Sequence, residues 1–125
     1  MAQAREAGVA IIVLVSTFGV NHNEQAPLRV VEHLVMDSGI PFTILRPNFF
    51  MENFSEGFLS GTIKGLNGIF LAAGEGRTGF ISVRDIAAVV AACFSDPSRH
   101  QELDLTGPEA LNHAEVAEII SRASG

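Results

Sequence analysis

The sequence predicts an α/β fold with a parallel sheet, and two observations carry this prediction. Residues 9–15 and 42–45 are short apolar runs rich in β-branched side chains, the composition of strands that are buried on both faces. Residues 24–38, which lie between these runs, repeat apolar side chains with helical spacing and are followed by Gly39, where helices commonly end. Strand, helix, glycine and strand in this order form a βαβ unit.

The helix predicted over residues 24–38 tolerates Pro27 only in its first turn. We expect an apolar stripe on this helix to face the sheet, and its members are Leu28, Val31, Leu34 and Val35. A second helix is predicted over residues 49–64, where the glycines near its end weaken it.

The next part of the chain predicts two short strands, a helix and a further strand. The short strands are expected at residues 69–72 and 80–83, around a glycine-rich turn. The helix has apolar residues at helical spacing, and these are Ile86, Val89, Val90, Cys93 and Phe94. Ser82 or Asp85 can cap it. Residues 102–106 alternate like a strand with one solvent-exposed face.

The last helix is predicted from its N-terminal signal. Asn112 and Glu115 have the spacing of a capping box, in which each side chain bonds the other residue's backbone N–H. We expect Val116, Ile119 and Ile120 to face inward from this helix.

Composition limits the classes of protein to which the chain can belong. With 125 residues it predicts a single partial domain, residues 1–125, and 47% hydrophobic against 18% charged residues indicate a globular protein. The net charge is −6 and the basic residues are scattered, so no nucleic-acid surface is predicted. A single cysteine favours a reducing compartment. The apolar run at residues 9–15 is far shorter than the ~20 residues of a membrane span, so we expect a cytoplasmic protein.

Residues 74–79 match the dinucleotide fingerprint G-x-G-x-x-G letter for letter. That fingerprint binds a pyrophosphate only when it joins a strand to a helix whose N-terminus faces the phosphates. Here a strand, not a helix, is predicted to follow the last glycine. We therefore interpret the motif as an ordinary glycine-rich turn.

No residue pattern identifies a catalytic or metal-binding group. The four histidines share no metal-ligand spacing. Cys93 falls on the apolar face of its helix, so packing explains it better than nucleophilic chemistry. Glu52 and Glu56 lie one helical turn apart and could form an acid–base pair, but a solvent-exposed face is the simpler interpretation. The chain contains no tyrosine.

The apolar strand at residues 9–15 needs more neighbours than the sequence supplies. A strand that is buried on both faces has strands on both sides and helices above and below. We therefore expect that preceding units of the sheet are missing. We also expect the unpaired edge to promote self-association.

Four segments, in order along nearly the whole chain, resemble the NmrA-like family of NAD(P)-binding proteins, which are atypical short-chain dehydrogenases/reductases. Residues 7–19 resemble a strand that ends in a small polar pair and a glycine, and residues 38–53, SGIPFTILRPNFFMEN, resemble the next strand and its turn. Residues 83–87 and 105–110 resemble the family's C-terminal pattern. The resemblance implies the C-terminal portion of a doubly wound, Rossmann-like sheet without the N-terminal dinucleotide-binding units.

The resemblance also implies a cofactor site, because doubly wound folds bind their ligand beyond the carboxyl ends of the strands. Ser16 and Thr17 end one strand. Pro47, Asn48 and Phe49 follow the next strand. All five are expected near the nicotinamide end of NAD(P), where the amide can bond a nicotinamide and the phenyl ring can cover it. A helix cap plus core aromatic residues explains the same positions equally well.

The chain departs from the family pattern in ways that leave its function open. It lacks the glycine-rich first turn and the usual catalytic tyrosine, and it has Leu28 where many relatives carry Lys or His. Arg29 points about 100° away from that position. The first interpretation is an NAD(P)H-dependent reductase of quinone-like or small carbonyl substrates, since the cofactor carries the hydride. The second is a non-catalytic dinucleotide sensor with a regulatory protein partner, and the third is an inactive remnant.

Overall fold

The computed structural model describes residues 1–69, 74–96 and 100–124. Eight helices and strands follow one another in this part of the chain: α1 (Ala2–Glu6), β1 (Ile12–Val15), α2 (Pro27–Met36), β2 (Phe42–Pro47), α3 (Ser60–Leu66), α4 (Val83–Cys93), β3 (Gln101–Leu105) and α5 (His113–Ser124). Two 3₁₀ turns lie at Val20–His22 and Met51–Asn53.

The residues group into two compact units. The first unit contains residues 1–47 and 84–105, and the second contains residues 48–83 and 106–125. The first unit carries the sheet, and the second carries mainly short helices and turns. The single partial domain stays a prediction.

The three strands of the first unit form a parallel sheet in the order β1–β2–β3. Leu14 of β1 pairs with Ile44 of β2, and Ile44 pairs with Glu102 of β3. Ile44 is fully buried at the centre of the sheet. The parallel pairing of the first two strands around α2 confirms the predicted α/β fold.

Strand β1 is shorter and less buried than the sequence predicts. Val9 is not part of the strand. Its N–H donates to the Ala4 carbonyl at 3.1 Å and so closes the C-terminal end of α1, across Gly8, whose φ is +74°. Pairing begins at Ile12, whose N–H donates to Pro41 at 2.9 Å. Among the described residues no strand pairs with the other edge of β1, and Val15 is 41% exposed. The prediction of burial on both faces is therefore wrong for this strand as it stands.

Helix α2 begins at Pro27 rather than at the predicted residue 24, so that Pro27 lies in the first turn as expected, but the helix turns an unexpected face to the sheet. Its buried residues are Glu32 and Val35. The other three members of the predicted apolar stripe are between 37% and 56% exposed: Leu28, Val31 and Leu34. The stripe prediction is wrong for these three, because a buried arginine of β2 draws Glu32 against the sheet.

In the second unit, the helix predicted over residues 49–64 is wrong for its first half. Phe50 instead forms a bridge with Ile81, and the N–H of Met51 donates to the Ile81 carbonyl at 2.9 Å. Pairing with a distant segment therefore holds Phe50 extended, a 3₁₀ turn at Met51–Asn53 follows, and only α3 remains as an α-helix in the predicted range. The strand predicted at residues 80–83 reduces to that bridge, and most of the strand predicted at residues 69–72 lies outside the described residues.

The capping box of α5 is confirmed. The side chain of Asn112 accepts the N–H of Glu115 at 2.8 Å, and the Glu115 carboxylate accepts the N–H of Asn112 at 3.2 Å. Val116 is buried, as predicted, but Ile119 is 49% exposed, so its predicted inward orientation is wrong. On α4 the apolar face is likewise buried only at Ile86.

Candidate functional site

In the first unit, Ser16, Thr17 and Pro47 lie together at the carboxyl ends of β1 and β2. The N–H of Ser16 donates to the Leu45 carbonyl at 2.7 Å, and the N–H of Phe18 donates to the Pro47 carbonyl at 3.0 Å. Thr17 lies between these two bonds and is exposed. Three of the five predicted cofactor contacts are therefore neighbours at the edge where parallel sheets bind ligands.

Ser16 combines burial with an unused hydrogen-bonding group. The residue is 7% exposed, and its Oγ has no hydrogen-bond partner of ordinary geometry among the described residues. The hydroxyl nevertheless lies close enough to Glu32 to help lower the pKa of that carboxyl. A buried hydroxyl without a good partner is unfavourable, so this atom can gain from a polar group that a ligand brings.

Beneath Ser16, Glu32 forms a completely buried ion pair with Arg46 of β2. The two guanidinium nitrogens Nε and Nη2 of Arg46 each lie 2.9 Å from a carboxylate oxygen, and Arg29 adds a contact of 2.8 Å. Burial raises the pKa of Glu32, but hydrogen bonds from Arg46 and Arg29 and the nearby Ser16 hydroxyl outweigh this effect and bring the pKa down to about 2. The carboxylate is therefore charged at neutral pH.

The ion pair extends into a network that joins α2 to two strands. Arg46 also bonds Glu102 of β3 at 2.6 Å, and Arg29 bonds Glu24 at 3.0 Å. Hydrogen bonds to Glu32 and Glu102 raise the pKa of Arg46 above its ordinary value. We name this group of residues the Glu32 network. It fixes α2 against the strand ends that carry Ser16.

Sequence analysis missed the Glu32 network, although the sequence contained a signal for it. Arg46 is the one charged residue in a run of apolar strand residues, and a buried charge requires a partner. The network also includes Arg29, whose guanidinium is held between Glu24 and Glu32.

The other two predicted contacts, Asn48 and Phe49, belong to the second unit. The Asn48 side chain accepts the N–H of Phe49 at 2.8 Å, a local turn bond. The Phe49 ring packs in what we name the aromatic cluster: Phe49, Phe54, Phe58, Phe80 and His113, with centroid separations of 5.4–6.3 Å. The ring packing matches the alternative of core aromatic residues, whereas the Asn48 bond is not a helix cap, and a role in cofactor binding stays a prediction.

Glu52 has a structural partner that sequence analysis did not identify. Its carboxylate accepts the Ser82 hydroxyl at 2.6 Å and the N–H of Val83, the first residue of α4, at 3.1 Å. The solvent-exposed interpretation of Glu52 is therefore wrong. Glu52 reaches this N–H from a turn about thirty residues earlier, and capping by Ser82 or Asp85 stays a prediction. A carboxylate at a helix N-terminus is favourable there.

The glycine-rich segment at residues 74–79 does not form a dinucleotide-binding turn. Gly74 lies in a turn, Thr78 bridges Leu111 in antiparallel fashion, and no helix begins at Gly79. This confirms the interpretation of the motif as a turn.

The described residues fit the nicotinamide end of NAD(P), through Ser16, but contain no helix N-terminus with close glycines for its pyrophosphate.

The part of the chain that the structure describes contains neither a cluster of potential metal ligands nor a helix that could span a membrane. No group of three or more potential metal ligands occurs there. No described helix is long and apolar enough to cross a membrane.

The chain is similar in sequence to curated oxidoreductases. It is 39% identical over 125 residues to an agroclavine dehydrogenase of Claviceps fusiformis, covering 98% of this chain and 43% of that protein. It is 33% identical over 129 residues to an NAD(P)H azoreductase of Xenophilus azovorans, covering 98% of this chain and 44% of the azoreductase. The chain thus spans less than half the length of these relatives. No protein-family model matches it.

Solved structures agree on the fold. A nucleoside-diphosphate-sugar epimerase of Staphylococcus aureus superposes with a TM-score of 0.79 at 27% identity, and a triphenylmethane reductase of Citrobacter sp. in complex with NADP(H) superposes with a TM-score of 0.75 at 26% identity. Each match covers 99% of this chain and 45% of the other chain. The chain therefore has the Rossmann-like α/β fold of NAD(P)-binding epimerases and reductases, with the extent expected of its C-terminal portion.

Proposed function

We propose that this chain supplies the substrate side of an NmrA-like, NAD(P)H-dependent reductase that acts on quinone-like or other small carbonyl compounds in the cytoplasm. The observation that carries the proposal is the buried, poorly partnered hydroxyl of Ser16, beside Pro47 at the ends of two parallel strands. The similarity to an NAD(P)H azoreductase supports the cofactor.

In this proposal the bound cofactor supplies the hydride, and the chain binds and orients. Ser16 gives its hydroxyl to the carboxamide of the nicotinamide, and Thr17 adds an exposed hydroxyl at the same edge. Pro47 has no N–H and keeps the turn rigid. Asn48 and Phe49 follow directly along the chain, and the Glu32 network keeps the Ser16 strand end in place.

Among carbonyl compounds, we favour those whose reduction needs no tyrosine from this chain. A simple ketone needs a proton donor for its developing alkoxide, and the chain has no tyrosine to give one. Reduction of a quinone leaves an oxygen anion that conjugation stabilises, so water can protonate it. Quinone-like substrates are therefore the better candidates.

A chimera tests this function, because the described residues offer no pyrophosphate site. This chain would replace the matching segment of the Xenophilus azovorans azoreductase, and quinone-dependent oxidation of NADPH would be followed. We expect turnover, and we expect Ser16→Ala to lower kcat/KM about tenfold, the effect of one lost hydrogen bond of about 1.4 kcal/mol. Ser95→Ala, at an exposed serine, is the matched control and should change nothing.

The second candidate function is a dinucleotide sensor that binds a regulatory protein partner. Three observations favour it: the chain has no tyrosine, Leu28 is apolar and 38% exposed, and Arg29 is held by two carboxylates. A chimera that binds NADPH without turnover would support the sensor. A chimera that folds and binds no NADPH would support the third interpretation, an inactive remnant.

We also propose that the chain self-associates. The free edge of β1 can pair with another strand. The exposed apolar side chains of α2, at Leu28, Val31 and Leu34, add a surface whose burial against a second copy of the chain is favourable.

A further inference from the structure

The second unit contains a pocket of about 180 Å³ that the proposed function does not use. Five residues line it: Met51, Phe80, Pro108, Glu109 and Leu111. We name it the Phe80 pocket. Four of these side chains are apolar and the fifth is a carboxylate, so the pocket combines an apolar wall with one negative charge.

The size of the Phe80 pocket limits what can enter it. A cavity of about 150 Å³ lined by apolar side chains is large enough to bind benzene. The Phe80 pocket therefore has room for one six-membered ring. It is also open to solvent at Met51, which is 42% exposed, so a substituent on the ring can extend outward.

Backbone contacts hold the walls of the pocket in place. The N–H groups of Thr78 and Leu111 donate to each other's carbonyls at 2.8 and 2.9 Å. Gly107 lies so close to Phe80 that a Cβ at this position would come within 1.6 Å of the Phe80 carbonyl oxygen. Arg77 donates to the Ala110 carbonyl at 2.9 Å. The loop that carries Glu109 is thus anchored on both sides.

Charge decides which kind of ring the pocket favours. Glu109 forms no hydrogen bond or ion pair with any other described residue, and it is exposed. The nearby Arg77 is already paired with Glu115, at 2.8 and 3.0 Å, so its charge is largely compensated. The Phe80 ring offers a second attraction, since a cation near an aromatic face is stabilised. With a chain net charge of −6, an anion is disfavoured.

We propose that the Phe80 pocket binds a six-membered aromatic ring that carries a cationic nitrogen, with the nitrogen paired to Glu109. This inference rests on the proposed function in one respect: it makes such a ring the recognised part of the reductase substrate. Phe80 packs directly on Phe49, with centroids 5.5 Å apart, so the pocket adjoins a residue expected near the nicotinamide.

Amide NMR of the isotope-labelled chain can test the pocket with two matched probes. Benzylamine and benzyl alcohol have the same shape, but only the amine is cationic at neutral pH. We expect both to shift the amide signals of Phe80 and Leu111, and benzylamine to bind about threefold to fivefold more tightly, the range of an exposed ion pair. Added salt should reduce this preference.

Three variants locate the effect. Glu109→Gln should remove the preference for the amine and leave benzyl alcohol unchanged, whereas Glu118→Gln, at an exposed carboxylate on α5, should keep it. Met51→Trp, at an exposed position, should block both probes without affecting the core. Equal affinity of the two probes for the unmodified chain, or shifts confined to other residues, would overturn the inference.

The outcome separates this inference from the proposed function. Benzylamine binding that depends on Glu109, in a protein whose chimera does not oxidise NADPH, would refute the reductase and keep the pocket. Quinone-dependent turnover by the chimera, without any preference for benzylamine, would refute the pocket alone.

Discussion

Removing the carboxylate of Glu32 should destabilise the first unit strongly. In Glu32→Gln, Arg46 keeps only the half-exposed Glu102 as an ionic partner, and a buried guanidinium loses its bidentate contact. Breaking a buried ion pair by changing one partner costs about 3–5 kcal/mol. We expect a loss of about 3 kcal/mol in the free energy of unfolding at neutral pH.

The pH dependence gives an independent measure of the same interaction. The pKa of Glu32 is lowered from 4.5 to about 2, and one pKa unit corresponds to about 1.4 kcal/mol. A lowered carboxyl pKa stabilises the folded state above the unfolded pKa, and the stability is lost as the pH falls through the folded pKa. We therefore expect the unmodified chain to lose about 3 kcal/mol between pH about 5 and pH about 2, and Glu32→Gln to lack this contribution.

Urea unfolding followed by circular dichroism over this pH range is the assay. Glu118→Gln, a change at an exposed carboxylate, should stay within about 0.5 kcal/mol of the unmodified chain. The double variant Glu32→Leu/Arg46→Leu should be more stable than either single variant, because an apolar pair leaves no buried charge behind. If Glu32→Gln unfolds at the same urea concentration and keeps the same pH dependence, the ion pair does not stabilise the fold.

Three further predictions concern binding, association and capping. Calorimetry should show no tight binding of NADH or NADPH by the chain alone, because a pyrophosphate site is missing from the described residues, and micromolar binding would contradict this. Light scattering should show self-association that Leu34→Lys weakens, since a few hundred Å2 of covered apolar surface is worth several kcal/mol at roughly 25 cal/mol per Å2; a monodisperse monomer would contradict it. Asn112→Ala should lower the free energy of unfolding by about 1 kcal/mol through loss of the α5 cap, and Asn112→Ser should restore most of it; equal stability of both variants would exclude a capping role.

The sequence alone determined the features that depend on neighbouring residues. The order of strands and helices in the βαβ unit followed from apolar spacing, which records within a few residues how each element is buried. The Asn112–Glu115 capping box was predicted for the same reason, since both partners lie in one helical turn. The glycine-rich segment at residues 74–79 was predicted to be a turn because its immediate successors disfavour a helix.

The candidate site was predicted only in part. Sequence analysis placed Ser16, Thr17 and Pro47 at adjoining strand ends, because parallel strands bring their carboxyl ends to one edge. It gave no means of choosing between cofactor contact and core packing for Phe49, because two of the rings around Phe49, Phe80 and His113, are distant in sequence.

Tertiary structure alone decided which face of α2 packs and which group caps α4. The apolar periodicity of α2 predicted the wrong buried face. Glu32 pairs with Arg46, which lies fourteen residues further along the chain, and this ion pair outweighs the local apolar pattern. The cap of α4 comes from Glu52, thirty-one residues before Val83. Secondary-structure propensity depends on residues within one or two helical turns. Buried charges and the unpaired groups at helix ends, in contrast, pair with residues that only the folded chain brings near them.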